Sequence, residues 1–189
     1  IIRAAGQAEA IQIITGMFDF HQTPLIQRAF ATVNNAAGTN LTLWYADSAY
    51  SDASVWTNIS AGASWDAFED CLTEMESFLG YCYFVGYDST DDVFLPNTTV
   101  TGTTFSTVDG TTDMAQGRYI KRYRDRLYVG NCLAGGVRYP YRVYFSNAGA
   151  RTWDLTNNFI DFDYGSQITG LGTAGDFLLV FTPYQSWIY

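Results

Sequence analysis

The chain has 189 residues, 48% of them hydrophobic and 15% charged, with a net charge of −9. That balance excludes a disordered chain, and the length suffices for one sizeable core or several small ones. No apolar run reaches the length of a membrane span, so no membrane partner is expected.

The first strand-like run is Ile14-Thr15-Gly16-Met17, followed by a turn signal at Gln22-Thr23-Pro24 and an apolar strand from Ala29 to Val33. A third strand is predicted over Leu41 to Ala46 and a fourth around Val55-Trp56-Thr57. Around Ala63 to Phe78, Trp65, Phe68, Leu72, Met75 and Leu79 recur at intervals of 3 or 4, which fits a short helix, with a strand as the competing reading. After the turn at Leu79-Gly80 come an apolar strand from Cys82 to Val85, a third strand from Asp92 to Leu95, and Val100 to Phe105 in the fourth position. The third unit has a turn at Arg124-Asp125-Arg126, the strand Leu127-Tyr128-Val129, then Arg142 to Ser146 and Thr152 to Leu155. The last has Ile168-Thr169-Gly170-Leu171, the turn Gly175-Asp176, the strand Phe177 to Val180, and Ser186 to Tyr189.

Val33, Val85, Val129 and Val180, each closing an apolar strand, recur at intervals of 52, 44 and 51 residues. Self-similarity of this length marks a repeat architecture, because one small sheet cannot bury its faces alone. Four short antiparallel strands per unit are the plan of a propeller blade, and the abundant Tyr, Phe and Thr suit a pleated, half-buried surface. The expected fold is all-β: about three and a half four-stranded β-propeller blades, with approximate bounds 1–60, 61–108, 109–163 and a partial 164–189. Propellers close with roughly four to eight blades, so the chain is expected to be part of a larger propeller.

Charge is unevenly spread. Residues 1–117 hold 14 acids against Arg3 and Arg28, whereas residues 118–189 hold 5 acids and 8 bases. Five of those bases are Arg118, Lys121, Arg122, Arg124 and Arg126. A nucleic-acid site is the sharp reading of this cluster; a solvated hairpin or a contact to an acidic neighbour is the favoured one, because the rest of the chain repels phosphate. Acidic flank against basic flank suits packing of identical subunits, making these five the candidate subunit contacts.

Chemistry is sparse. His21 is the sole histidine and has no fixed nucleophile partner, and no zinc, phosphate-loop or dinucleotide pattern appears. No catalytic, cofactor or metal residue is therefore assigned, although Asp88, Asp91 and Asp92, or Asp47 and Asp52, are the acids that would serve calcium. Asp161 and Asp163 alternate on a strand-like run and so share a face. Cys71, Cys82 and Cys132 read as buried free thiols, with a Cys71–Cys82 disulfide as the alternative. Most of the 32 aromatic residues are blade packing; Tyr139, Tyr141 and Tyr184 fall in loops and are the candidate contacts to a host glycan.

Two resemblances follow from local motifs. Ser146-Asn147-Ala148-Gly149-Ala150-Arg151-Thr152-Trp153 resembles the Asp-box turn of sialidase-type propellers, with Ala148 and Ala150 in place of its aspartate and central glycine. That turn is structural, so it supports a blade more than a hydrolase. Across about 70 residues, Tyr119 to Gly130, Arg142 to Gly149, Trp153, Asn158 to Asp161, Ile168 to Leu171, Leu178 to Phe181 and Ser186 to Tyr189 together resemble β-propeller structural proteins of tailed bacteriophages. The resemblance implies a non-enzymatic component of the virion at the tail, neck or nozzle, assembling with copies of itself and with other tail or neck proteins. From the missing motifs and the acidic balance, no cofactor and no specific nucleic-acid partner are expected. A glycan-binding module is the alternative function, and a propeller glycosidase the third.

Overall fold

A computed structural model describes residues 13–23, 26–34, 41–47, 56–60, 71–106, 114–162 and 165–189. Among them the secondary structure is all strand and turn, arranged as four antiparallel sheets in chain order. The first sheet runs β1 (Ile13–Thr23), β2 (Ile26–Asn34), β3 (Leu41–Asp47), β4 (Thr57–Asn58). The second runs β5 (Leu72–Phe78), β6 (Tyr81–Asp88), β8 (Thr98–Thr101), β9 (Thr104–Ser106), with β7 (Val93–Phe94) also paired to β6. The third is β10 (Gln116–Tyr123), β11 (Arg126–Ala134), β12 (Val137–Phe145), β13 (Phe159–Asp161), and the fourth is β14 (Gly170–Ala174), β15 (Phe177–Phe181), β16 (Ser186–Ile188).

Each predicted valine strand is the second strand of its sheet. In the second, third and fourth sheets tight turns deliver it: Leu79 and Gly80 both take positive φ (49° and 79°), as a type I′ hairpin requires, and Arg124 (51°) and Gly175 (56°) open the equivalent turns. In the second sheet, alternate side chains of β6 are buried on opposite faces. Cys82 and Phe84 join Phe20, Phe30, Leu41 and Leu43 in a core between the first and second sheets. Tyr83 and Val85 join Ile120, Leu127, Val129 and Trp153 in a core between the second and third. Tyr123, Tyr128 and Val143 meet Ile168, Leu178 and Val180 between the third and fourth. Full burial of one such aromatic or aliphatic side chain contributes about 1.5–3 kcal/mol, and every inter-sheet layer holds several.

The valines themselves are not all equivalent. Val129 and Val180 stand three residues past the first residue of their strands, opposite Ile120 and Leu171, and both face the preceding sheet. The same step in the second sheet reaches Phe84, opposite Met75, which faces the first sheet; Val85 faces forward. The structural repeat therefore passes through Phe84, one residue out of phase with the valine count.

One open reading resolves to the strand alternative, and two expectations change in detail. Leu72–Phe78 is a strand: Leu72 and Leu79, two members of the helical spacing, are 66% and 51% exposed and so mark no buried face, while Ala63 to Asp70 lie outside the described residues. The third strand of the second sheet, predicted over Asp92 to Leu95, is Val93–Phe94; it breaks at Pro96, which has no N–H for the ladder, and resumes as β8, after which Val100 and Phe105 pair across the turn between β8 and β9. In the third sheet the fourth strand is Phe159–Asp161, because Thr152 to Leu155 is used in a compact turn closed by a bridge from Trp153 to Ser146 and by Asn147 N–H donating to the Thr152 carbonyl at 2.8 Å. That turn is the Asp-box-like segment, and its Trp153 is buried in the second inter-sheet core.

Between sheets, the first strands approach one another: β1 lies against β5, β5 against β10, and β10 against β14, with β10 also close to β6. Among the described residues the third and fourth strands of neighbouring sheets make no comparably close backbone approach. The edge of β10 is closed by side chains of β5. Glu74 accepts the Ile120 N–H at 3.0 Å and Glu76 accepts the Arg122 N–H at 3.2 Å, leaving these edge donors satisfied without a further strand.

Candidate functional site

The five bases do not form one free patch. The Arg118 guanidinium lies 4.9 Å from the Tyr87 ring centre and 5.6 Å from that of Tyr119, at the boundary of the second and third sheets. Lys121 Nζ stands 3.0 Å from Glu76, the acidic neighbour being in the same chain. Arg126 donates to the Ser146 carbonyl at 2.7 Å and covers Phe145, and Arg124 sits on the turn over Tyr123. Arg122 and Arg124 are exposed.

The acidic candidates likewise separate. Asp88 is buried and accepts the Thr90 and Asp91 N–H groups at 2.8 and 3.2 Å, a local turn. Asp92 instead accepts hydrogen bonds from the Tyr87 hydroxyl and the Arg138 guanidinium, which together hold its carboxyl below the ordinary range. Asp47 is paired with Arg28 at 2.8 Å. Among the described residues no group of three metal-ligating side chains converges, and Asp52 and Asp163 lie outside them. Asp161 is taken by Arg142 through two bonds of 2.5 and 2.8 Å. This raises the arginine's pKa further and sets the guanidinium 3.8 Å from the Phe159 ring centre. Cys71, Cys82 and Cys132 are all free and buried. Burial pushes the Cys71 thiol up to about 12 and raises the other two as well.

Two of the three tyrosines meet at an assembled site. Tyr139 and Tyr141 lie on β12 rather than in a loop, and Tyr139 packs on the core between the second and third sheets, with Arg142 stacked 4.3 Å from its ring centre. Tyr141 and Tyr184, by contrast, line the same cleft of about 570 Å³, together with Arg138, Ser166 and Gln167. Its walls trace to a local irregularity. On β11, Gly130 pairs with Val143 but Cys132 pairs with Tyr139, so four steps of β12 match two of β11 and the strand bulges at Pro140 and Tyr141. Asn131, between those partners, adopts φ 54°, a conformation asparagine tolerates better than most residues.

The bulge anchors the opposite wall. The Pro140 carbonyl accepts the Ile168 N–H at 2.8 Å, the Tyr141 carbonyl accepts the Phe162 N–H at 3.0 Å, and the Asn131 side chain donates to the Ile168 carbonyl at 3.1 Å. Both backbone groups of Ile168 are thus held, which fixes Ser166 and Gln167 beside the cleft. Its rim is the turn from Thr182 to Gln185, closed by Thr182 N–H to the Gln185 carbonyl at 2.9 Å and by the Thr182 hydroxyl bonding the Gln185 carbonyl and N–H at 3.0 and 3.1 Å. At its tip Tyr184 is 86% exposed.

Sequence reasoning missed Arg138, Ser166 and Gln167 here, and Glu74 and Glu76 at the β10 edge. A usable signal for the first group was the doublet Pro140-Tyr141 and Pro183-Tyr184, recurring where two strand units meet. For the second it was two acids alternating on one face of a strand whose other face carries Met75. No family model matches the chain. No curated protein matches it significantly.

Proposed function

We propose that the four sheets are consecutive blades of a β-propeller, and that the chain is a structural component of a tailed-bacteriophage virion. Its role is a rigid, non-catalytic assembly platform in the tail apparatus, bound to copies of itself and to other tail or neck proteins. The observation that carries the blade reading is the succession of approaches from β1 to β5, β5 to β10 and β10 to β14, which blades set about an axis would give. In support, the last sheet turns Phe177 and Ile188 outward, 54% and 70% exposed, on the face opposite Leu178 and Val180. A further blade would cover that face as the third sheet covers Tyr83 and Val85 of the second.

The virion part rests on the resemblance running from Tyr119 to Tyr189, whose segments build the third and fourth sheets. A mechanical role also accords with where the charged groups go: Glu74, Glu76, Asp161, Arg126 and Arg142 are used in holding strands and sheets together. Arg122 and Arg124 stay exposed on β10 and its turn, available to an acidic flank of a neighbouring subunit. Peptide mass spectrometry of purified particles tests the assignment. Peptides of this chain at a fixed, stoichiometric ratio to the major tail proteins are expected, and their absence from intact particles would overturn it.

A further inference from the structure

We propose that the cleft between the third and fourth sheets binds a neutral saccharide, with Tyr141 and Tyr184 as stacking platforms and Ser166 and Gln167 as hydrogen-bonding groups. The inference stands apart from the virion reading, since it concerns one cleft of the chain by itself.

Both rings are carried on backbone that the fold restrains. Each tyrosine follows a proline, whose ring fixes φ, and each Pro-Tyr pair sits in a hydrogen-bonded irregularity: the β12 bulge for Tyr141 and the closed Thr182–Gln185 turn for Tyr184. Holding an aromatic ring 86% exposed at the tip of a pinned turn brings little packing to the fold, but it presents a rigid surface to a ligand at small entropic cost. The volume, about 570 Å³, lies within the ordinary range of small-molecule sites.

The lining selects the ligand class. A pyranose ring has an apolar C–H face that stacks on a phenol ring, and a rim of hydroxyls that both donate and accept. Gln167 offers an amide donor and acceptor, and Ser166 a hydroxyl that does both. Arg138, the charged residue among the described lining, has its counterion in Asp92 and donates to the Tyr87 hydroxyl at 3.3 Å, so an anionic ligand would have to compete with Asp92 for it. Among the described residues no carboxylate belongs to the lining, whereas a glycosidase needs an acid pair, so the cleft suits binding rather than hydrolysis.

The test is a glycan array carrying neutral, sialylated and phosphorylated oligosaccharides, with proline-rich peptides printed as controls, probed with the purified chain. Titration calorimetry with the best neutral oligosaccharide follows. Retention of neutral glycans is expected, weakened about tenfold by Tyr184→Ala and also by Gln167→Ala, with thermal unfolding unchanged because Tyr184 is at the surface. Failure to retain any saccharide would overturn the proposal. So would retention of acidic glycans alone, selective capture of the peptides, or affinity unchanged in Tyr184→Ala.

Discussion

Gly117 offers a sharp test of how the third sheet is built. An alanine Cβ at this position would stand 2.1 Å from Val129 Cγ1 and 3.4 Å from the Gly130 carbonyl oxygen. Carbon atoms prefer about 3.5–4.0 Å, so the shortfall at Val129 exceeds what a small adjustment can absorb. Val129 is fully buried and β-branched, and rotating it would drive its methyls into the surrounding core. Gly117→Ala should therefore cost about 2–3 kcal/mol, the upper part of the range for overpacking. Val129→Ala removes the offending methyl and should cost about 2 kcal/mol from lost burial and the space left behind. In the double variant the methyl added at position 117 enters that space, so the two losses should fall short of their sum by about 1–2 kcal/mol. Urea unfolding of the four proteins, compared at a common slope, measures this. Losses that add to within about 0.5 kcal/mol would refute the contact between β10 and β11 described above.

Two further outcomes follow from buried titratable groups. Burial raises the Glu74 pKa above its ordinary 4.5, so this residue favours the folded state most when protonated, and its contribution falls as pH rises from 4.5 through the folded value. Glu74→Gln keeps an acceptor for the Ile120 N–H, and its stability relative to the parent should rise between about pH 4 and pH 7 in pH-resolved thermal unfolding; a difference that does not change with pH would contradict this. All three thiols are buried with raised pKa values, so a disulfide reagent at about pH 8 should modify none in the folded protein and all three in denaturant, whereas fast labelling of the native chain would place a cysteine at the surface.

The second strand of each sheet was legible because the central sheets are buried on both faces. Cys82 to Val85 is an unbroken apolar run since Phe84 serves one core and Val85 the next, and a glycine or turn residue announces the hairpin before it. The same double burial hid the phase: with both faces apolar, counting valines cannot tell Phe84 from Val85. Local chemistry misplaced other elements. Pro96 splits a strand that pairing with β6 nevertheless continues, and the Ser146–Trp153 turn displaces the fourth strand of its sheet to Phe159. Of the cleft, the two outlying tyrosines could be named from sequence, but their convergence depends on a bulge and on Asn131 at positive φ, which no periodicity records.

Whether these sheets are propeller blades built into a tail can be decided by electron cryo-microscopy of intact particles at a resolution that traces strands. The expected result is tail-associated density in which successive four-stranded sheets radiate from an axis, with β1, β5, β10 and β14 innermost and another sheet covering Phe177 and Ile188. Sheets stacked without a common axis, or tail density into which this chain cannot be traced, would contradict it.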